Sequence, residues 1–335
     1  MRNSQKPIAL LLTSEALFSH FFPRENLKRL ESVCDWSRSE GGTDSPELRR
    51  SIAGADALIT TWHSPFLTLP MLGPSPRVRL IAHCGGEVKS RLEEAVVDLL
   101  TVTNAPDPMA FPVAEMALAM ILSLVRKLPD YERGMRAGCM VDNSRVAQGE
   151  TLRGRRIGII GFGRIGRSIA RLLQPFEVEI LVADPHLAEG STRGLGVRRV
   201  ELEELLPSSS VVVLAAGLTP ESRGMLNSRR LALLPDSAIL VNVARGGLVE
   251  MGPLLTELQS GRISAAIDVT DPLEPLPPEH ELRRLPNVLL TPHVAAGGIE
   301  TRRAMGAAAV ESVVEFFAGR KPANIVTRRM LATMT

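Results

Sequence analysis

The chain has 335 residues, of which 44% are hydrophobic and 23% charged, and its formal net charge at pH 7 is +2. This size is sufficient for two ordinary domains, each with its own hydrophobic core. Lysine and arginine are spread along the chain without a basic tail or a run of like charge, so nucleic acid is not an expected partner.

Signals for secretion or membrane insertion are weak. The N-terminal apolar run, residues 8–12, is too short for a signal-peptide core. A later run, residues 116–125, falls short of the roughly 18 apolar residues that a membrane span needs. Cys34, Cys84 and Cys139 are odd in number, far apart and without metal-binding spacing, which is typical of reduced thiols. We therefore expect a cytoplasmic protein without membrane contact, disulfides or metal.

Strand-like and helix-like segments alternate along the chain, which favours an α/β fold with parallel sheets. A long amphipathic helix is predicted from near Val113 to about Lys127, and a second helix over roughly 300–318. The predicted strands of the first part are 7–13, 55–61, 78–83 and 100–104, and those of the second part are 155–161, 178–184, 210–216, 238–244, 263–268 and 287–293.

The positions of these elements predict one domain inserted in another. Residues 105–295 are expected to form a dinucleotide-binding domain with a doubly wound parallel sheet. Residues 1–104 and the C-terminal segment 296–335 are expected to form the other, substrate-binding domain. Because the chain would cross twice between the domains, a hinge and a cleft are expected, and such a cleft is a common place for a substrate.

The sequence GFGRIG (161–166) follows a predicted apolar strand and opens a predicted helix, which is the context of a dinucleotide-binding fingerprint. Its glycines permit a tight turn, a close approach of the pyrophosphate and close helix–strand packing, and the helix start offers N–H groups to phosphate. Asp184 ends the next strand and suits the hydroxyls of the adenosine ribose, so NAD is predicted over NADP. The predicted cofactor residues here are Gly161, Gly163, Arg164, Ile165, Gly166 and Asp184.

Ligands of doubly wound sheets bind beyond the carboxyl ends of the strands. A cation (Arg245), a carboxylate (Asp268) and an imidazole (His293) end three neighbouring predicted strands. Each also has an ordinary interpretation, as a solvated arginine at a Gly-Gly turn, a turn cap, and a satisfied histidine at a domain joint. The further predicted cofactor residues at these ends are Ala216, Thr219, Val243, Ala244, Arg245, Asp268 and His293.

The loop 269–278 contains four prolines and one glutamate, Glu274. A carboxylate beside His293 would orient the imidazole and favour its protonated form as a general acid. A proline-rich loop with an exposed glutamate is also an ordinary connector, and both interpretations stay open.

These motifs, in the order GFGRIG, Asp184, LTPESRGML, NVARGGLVE, AAIDV, EPLP and LPNVLLTPH, resemble the D-isomer-specific 2-hydroxyacid dehydrogenase family. Its members include phosphoglycerate, glyoxylate/hydroxypyruvate and D-lactate dehydrogenases. The resemblance covers about 105–300 closely. It implies a Rossmann NAD domain inserted in a flavodoxin-like substrate domain, and hydride transfer between NAD and a small 2-oxo or 2-hydroxy acid.

By this resemblance Arg245 holds the substrate carboxylate and polarises its carbonyl. His293, paired with Glu274, is the general acid/base, and Asp268 binds the carboxamide side of the nicotinamide. The segment 104–127 resembles the interdomain helix of the family, which also forms a dimer interface, so a homodimer through the NAD domain is expected.

The sequence also departs from the family pattern. Asp268 and Glu274 are six positions apart where five are usual, which makes Asp271 a rival partner for His293. Ala215 stands where many members have a histidine. The substrate loop reads HCGGEVKS (83–90), and its predicted substrate-binding residues are Gly85, Gly86 and Glu87.

Several alternatives remain open at this point. Lys89 suits a second acidic group of the substrate, although a lone surface lysine is the simpler interpretation. His63 and His83 compete with His293 as acid/base. The chain as a whole also fits a non-enzymatic NAD(H)-sensing protein of the corepressor type. An L-lactate or malate type dehydrogenase fits poorly, because about 150 residues precede the glycine fingerprint.

Overall fold

The computed structural model describes residues 6–40, 42–138, 148–187, 190 and 192–334, so the predicted free thiol of Cys139 lies outside the described residues. The chain forms two compact units, which we call unit 1 (Met1–Met109 and Gly297–Thr335) and unit 2 (Ala110–Ala296). The sequence placed the domain boundaries after residues 104 and 295. The roles of the two domains stay predictions.

Unit 1 contains a sheet of five strands in the order β2-β1-β3-β4-β5, and every neighbouring pair is parallel. This is the flavodoxin-like strand order. The edge strand β2 was missed in the sequence because it reads DWSRS and is only partly buried. The strands are β1 (Ile8–Leu12), β2 (Asp35–Ser39), β3 (Ala57–Thr60), β4 (Leu80–His83) and β5 (Thr101–Thr103).

The helices of unit 1 cover this sheet, and the C-terminal helix α12 belongs to the same core. Met305, Ala309 and Val313 of α12 are buried in one cluster with strands β1, β3 and β4. The helices are α1 (Glu15–Phe21), α2 (Arg24–Glu31), α3 (Pro46–Ala53), α4 (Leu69–Leu72), α5 (Val96–Leu99), α12 (Ile299–Phe317) and α13 (Arg328–Thr333).

Unit 2 contains a sheet of seven strands in the order β12-β11-β10-β9-β6-β7-β8, and all of its pairs are parallel. Strands β6 to β11 have the Rossmann order, so the order of the strands reverses between β6 and β9. The strands are β6 (Arg156–Ile160), β7 (Glu179–Ala183), β8 (Val197–Arg199), β9 (Val211–Leu214), β10 (Ile239–Asn242), β11 (Ser264–Ile267) and β12 (Val288–Leu290).

The central strands of unit 2 are apolar and rich in β-branched residues, and β9 and β10 are buried throughout. Such runs form strands that are covered by helices on both faces of a parallel sheet. The predicted fold class is therefore confirmed, with two parallel sheets. The short β8 was missed because two of its residues, Arg198 and Arg199, are exposed arginines.

Helix α6 connects unit 1 to unit 2 along the chain. It begins six residues before the predicted start near Val113, so that Pro112 lies within the helix. One face of α6 packs into the core of unit 2 through residues such as Ala117 and Ile121. This helix is also long and apolar enough to cross a membrane, a property that buried core helices share. The helices are α6 (Asp107–Val125), α7 (Leu128–Arg136), α8 (Arg164–Leu173), α9 (Leu202–Ser208), α10 (Ser228–Leu231) and α11 (Met251–Gln259).

Gly306 permits the close contact between α12 and the end of α1. A Cβ atom at residue 306 would lie 1.9 Å from the carbonyl oxygen of Phe21. We expect Gly306→Ala to lower the free energy of unfolding of unit 1 by about 2–3 kcal/mol, because the two helices must separate. Both tryptophans, Trp36 and Trp62, lie in unit 1, so urea denaturation followed by tryptophan fluorescence reports on this unit.

The matched control is Gly54→Ala at the end of α3 in unit 1, where a Cβ atom would have its nearest contacts at 3.7 Å, an ordinary van der Waals distance. This variant should unfold at the wild-type urea concentration in the same assay. Equal stability of the Gly306→Ala and wild-type proteins would show that α12 does not pack on α1 as described.

Candidate active site

The glycine loop after β6 leaves an open space in front of α8. Gly161 has φ +90°, and a Cβ atom there would lie 2.5 Å from the backbone nitrogen of Ala216. A Cβ atom at Gly166 would lie 2.3 Å from the carbonyl oxygen of Gly161, whereas one at Gly163 would have nothing within 4 Å. Gly163 is the N-cap of α8 and makes no side-chain cap hydrogen bond. These features fit a dinucleotide pyrophosphate.

Four further predicted cofactor residues of unit 2 are Asp184, Arg164, Ile165 and Thr219. Asp184 follows β7, and its carboxylate accepts hydrogen bonds from the backbone N–H groups of Phe162 (2.7 Å) and His186 (2.8 Å). Arg164 begins α8, and Ile165 packs against the core of unit 2. The backbone N–H of Thr219 donates to the hydroxyl of Ser222 in the loop after β9. The structure therefore places the carboxylate of Asp184 beside the glycine loop.

The turn that carries Arg245 is held by Asn242, a buried residue at the end of β10. The Asn242 side chain accepts from the N–H of Ala244 and donates to the carbonyl of Arg245, both at 3.0 Å. The Arg245 guanidinium donates to the carbonyl of Ala244 at 2.7 Å, and Val243 and Ala244 are buried. Asn242 was missed in the sequence. Its signal was a lone amide at the end of an apolar strand, directly before the arginine.

Gly246 joins the turn of Arg245 to the loop of Glu274. A Cβ atom at residue 246 would lie 2.2 Å from the carbonyl carbon of Thr270, so only glycine permits this approach. The N–H of Thr270 donates to Oε1 of Glu274 at 3.2 Å, and its hydroxyl donates to the carbonyl of Leu273 at 2.6 Å. The two loops that carry Arg245 and Glu274 are therefore in direct backbone contact.

His293 pairs with Glu274, since Nδ1 of His293 lies 3.0 Å from Oε2 of Glu274. Asp271, the rival partner, instead forms an ion pair with Arg223 at 3.2 Å. The side chains of His293 and Glu274 are 47% and 39% exposed. The pairing leaves Nε2 of His293 for another partner, and the ring is accessible to a small molecule.

The carboxylate of Asp268 fixes the turn on which His293 stands. It is 2% exposed and accepts from the Thr291 hydroxyl and from the N–H groups of Val294 and Ala295, the last two at 2.9 Å. The carbonyl of Asp268 also accepts from the N–H of His293 at 2.8 Å. Asp268 therefore binds the residues on both sides of His293. The sequence predicted it only as a nicotinamide contact, which stays a prediction.

The hydrogen bonds to Asp268, rather than the ion pair with Glu274, hold the turn that carries His293. His293 has φ +53°, a left-handed conformation that costs about 1–3 kcal/mol for a residue with a side chain. An exposed ion pair contributes at most about 1 kcal/mol. Hydrogen bonds to a charged group contribute about 1.5–3 kcal/mol each, so those to Asp268 are sufficient to hold the turn.

A cavity of about 500 Å³ borders the His293–Glu274 pair within unit 2. Its lining includes the apolar side chains of Leu276 and Leu290 as well as His293, Glu274 and Pro292. One side of the pair therefore faces open space.

The predicted substrate loop lies in unit 1. A Cβ atom at Gly85 would lie 2.5 Å from Nε2 of His83, and the carbonyl of Gly86 accepts from the Asn104 side chain at 2.6 Å. The carboxylate of Glu87 accepts from the N–H and hydroxyl of Ser90 at 2.7 and 2.6 Å. The substrate contacts predicted for Gly85, Gly86 and Glu87 stay predictions.

His83 is unsuited to proton transfer because its side chain is buried. It is 1% exposed, and its Nδ1 lies 2.8 Å from the Thr60 hydroxyl. Burial, with a smaller contribution from the Arg91 cation, lowers the pKa of His83 to about 3. The imidazole is therefore neutral at physiological pH. The alternative of His83 as general acid is not supported.

The two described cysteines are free and buried. Burial raises the pKa of Cys34 to about 12 and also raises the pKa of Cys84, so neither is a thiolate at neutral pH. Among the described residues, no group of three or more His, Cys, Asp or Glu side chains is arranged to hold a metal ion.

The chain that carries this site is similar to known proteins. Residues 118–295 match the family model of the D-isomer specific 2-hydroxyacid dehydrogenase, NAD binding domain. The glyoxylate reductase of Pyrococcus furiosus is 34% identical over 318 residues, which are 92% of this chain and 94% of that protein.

The chain is also similar to solved structures over nearly its whole length. The TT0316 protein from Thermus thermophilus has a TM-score of 0.79 and 30% identity, over 96% of this chain and 100% of that one. An NADPH-dependent glyoxylate/hydroxypyruvate reductase from Sinorhizobium meliloti, in complex with citrate, has a TM-score of 0.78 and 27% identity, over 96% and 98% of the two chains.

The chain therefore belongs to the D-isomer-specific 2-hydroxyacid dehydrogenase family. It is an oxidoreductase that uses a nicotinamide cofactor, and unit 2 contains its NAD-binding domain. The predictions of family, fold and enzyme class are confirmed, and the alternative of a corepressor-like NAD(H) sensor is not favoured.

The burial of His83 predicts a pH-dependent stability. In the unfolded chain His83 binds a proton below its usual pKa of 6.5, whereas in the folded protein it stays neutral down to about pH 3. Stability is therefore lost as the pH falls through this range, by about 1.4 kcal/mol per pH unit. Between pH 7.5 and pH 4.5 we expect the free energy of unfolding to fall by about 2–3 kcal/mol more in wild type than in His83→Gln.

Urea denaturation with tryptophan fluorescence at several pH values measures this difference. His63→Gln, at an exposed position of the same unit, is the matched control and should keep the wild-type pH dependence. Parallel pH profiles for wild type and His83→Gln would contradict the burial of a neutral imidazole.

Proposed function

We propose that this enzyme reduces a small 2-oxo acid to the D-2-hydroxy acid with NADH, and that glyoxylate and hydroxypyruvate are among its substrates. The observation that carries the proposal is the His293–Glu274 pair at 3.0 Å, on a loop in backbone contact with the Arg245 turn. The names of the relatives from Pyrococcus furiosus and Sinorhizobium meliloti support the choice of substrates.

The residues around the glycine loop fit the cofactor. Gly161, Gly163 and the first turn of α8 would hold the pyrophosphate, and Asp184 would accept from the adenosine ribose. Two backbone N–H groups already orient the Asp184 carboxylate, and this negative charge would repel a 2′-phosphate, which supports NAD over NADP. When bound, the nicotinamide supplies the hydride that reduces the carbonyl carbon.

Arg245 is proposed to hold the substrate carboxylate. Its guanidinium is a permanently charged, planar fork of donors that matches a carboxylate. The buried Asn242 fixes the backbone at this position, so the cation stands on a rigid strand end. The same cation withdraws electrons from the neighbouring carbonyl and so favours its reduction.

His293 is proposed to donate the proton. Because Glu274 engages Nδ1, Nε2 carries the proton that passes to the carbonyl oxygen. The Glu274 carboxylate orients the imidazole for this transfer. In the reverse direction the neutral imidazole would accept the proton of the substrate hydroxyl.

The assembly and location of the enzyme are also proposals. Phe111, Leu128 and Met135 of α6 and α7 are 53%, 52% and 62% exposed, and such an apolar surface supports a homodimer through unit 2. The even spread of basic residues supports a protein without a nucleic-acid partner, and the buried free thiols support a cytoplasmic location.

Loss of NADH absorbance with about 1 mM substrate tests the function in a panel of glyoxylate, hydroxypyruvate and pyruvate. We expect turnover by wild type and a fall in kcat/KM of at least about 10³-fold in Arg245→Ala, because the substrate loses its charged anchor. NADH binding, followed by fluorescence titration, should survive.

Arg229→Ala is the matched control, since this exposed arginine of unit 2 pairs with Glu203, and it should keep full activity. Full activity of Arg245→Ala would refute the assignment of the carboxylate anchor, and absence of turnover over the whole panel would refute the proposed function.

A further inference from the structure

The cavity beside the His293–Glu274 pair lies toward one edge of the sheet of unit 2. The described residues that line it belong to the loop after β11, to the short helix Glu281–Arg284 and to the end of β12, the edge strand. The Arg245 turn follows β10, and β11 lies between β10 and β12 in the sheet. The cavity is therefore built on the β12 side of β11, whereas the proposed anchor of the substrate carboxylate stands on the β10 side.

Apolar residues form most of the wall of this cavity. Leu276 of the loop after β11 is buried, and Leu290 at the end of β12 is partly buried. Pro275 and Pro292 extend the same wall. The volume of about 500 Å³ is in the range of pockets that hold small organic ligands. Water finds few hydrogen-bond partners on such a wall, so an apolar group of a ligand would replace it favourably.

Arg283 is the cation of this cavity. Its Nε donates to the carbonyl of Pro277 at 2.9 Å, and its Nη2 donates to the carbonyl of Leu276 at 2.6 Å. These neutral acceptors fix the orientation of the guanidinium but do not balance its charge. Arg262 also donates to backbone carbonyls and is in addition paired with Glu257. In the described part of the chain, no carboxylate forms an ion pair with Arg283, so a ligand carboxylate would supply the balancing charge.

The carboxylates that also line the cavity already have their partners. Asp268 accepts from a hydroxyl and from backbone N–H groups. Glu274 accepts from the N–H of Thr270 and pairs with His293. The charge of Arg283 is therefore the one that a ligand can complement among these described groups, which favours an anion over a cation.

We propose that this cavity binds a monocarboxylic acid with an apolar tail, which places its carboxylate on Arg283 and its tail between Leu276 and Leu290. The site goes beyond the proposed function, and only its effect on turnover rests on that function. The bound acid contacts the imidazole–carboxylate pair, whose alignment proton transfer requires. It therefore inhibits reduction without competing for Arg245.

Ligand-observed NMR titration of the full-length protein with hexanoate tests the binding site. Hexanoate has the tail and the carboxylate but lacks a 2-oxo group, so it cannot be reduced. We expect hexanoate to bind, and butyrate, which is two methylene groups shorter, to bind about tenfold more weakly. Hexan-1-ol keeps the tail without the charge and should bind at least about tenfold more weakly than hexanoate.

Substitution of Arg283 tests the charged contact. Arg283→Met should weaken hexanoate binding at least about tenfold, since a charge-assisted contact is lost. The same variant should bind hexan-1-ol as wild type does, because methionine keeps an apolar side chain at this position. Arg283→Lys should retain part of the affinity for hexanoate, since it retains the charge.

Two matched controls accompany these variants. Arg284→Met, at the next and exposed position of the same short helix, should bind hexanoate with the wild-type affinity. Arg245→Ala should do so as well, because the site does not include the substrate anchor.

The type of inhibition gives a second test. With glyoxylate as the varied substrate, hexanoate should lower the kcat of wild type and change its KM less than about twofold. Arg284→Met should be inhibited in the same way. Arg283→Met should need at least about ten times more hexanoate for the same inhibition.

The outcomes separate this inference from the proposed function. Absence of hexanoate binding to wild type, or equal affinity in wild type and Arg283→Met, refutes the inference alone. Loss of hexanoate binding in Arg245→Ala, or inhibition that raises only KM, shows that the acid occupies the substrate anchor and also refutes it. An equal loss of hexanoate and hexan-1-ol binding in Arg283→Met shows a structural role for Arg283 and refutes it as well. Absence of turnover with every 2-oxo acid refutes the proposed function, whereas hexanoate binding that depends on Arg283 still supports the site.

Discussion

The carboxylate of Asp268 is the constraint on which the candidate active site depends. It is buried at the end of β11 and accepts hydrogen bonds from Thr291, Val294 and Ala295. A carboxyl group at 2% exposure is stable only when its oxygens have hydrogen-bond partners. The chain therefore has to turn around Asp268, and His293 is the residue that this turn presents to solvent.

The other parts of the site follow from the parallel sheet of unit 2. The carboxyl ends of β10 and β11 lie side by side, so Arg245 and Asp268 emerge at one edge. Gly246 then allows the Thr270 backbone to touch the Arg245 turn, and Thr270 in turn binds the Glu274 carboxylate. The turn of Arg245 and the His293–Glu274 pair are thereby connected through the backbone of Thr270, which suits preorganised catalysis.

The sequence predicted those features that depend on local patterns. Apolar runs such as VVVL and ILVN predicted the central strands, and the glycine fingerprint predicted the turn before α8. The edge strands β2 and β8 were missed because polar residues suffice where one side of a strand faces solvent. The choice between Glu274 and Asp271 as partner of His293 depends on how a proline-rich loop folds and on Arg223 of another loop, which forms an ion pair with Asp271. No local sequence pattern shows either of these, nor the hydrogen bonds that Asp268 accepts from Thr291, Val294 and Ala295.

The single-turnover rate of the Asp268→Asn variant tests this account most directly. With NADH prebound and a saturating 2-oxo acid, stopped-flow absorbance measures the chemical step itself. The amide keeps the size of the side chain but places an NH₂ group against backbone donors, so the His293 turn is displaced. We predict a rate at least about a hundredfold below wild type in a folded protein that still binds NADH. A rate within about twofold of wild type would contradict the central role of Asp268, because a displaced His293 cannot sustain the wild-type proton transfer.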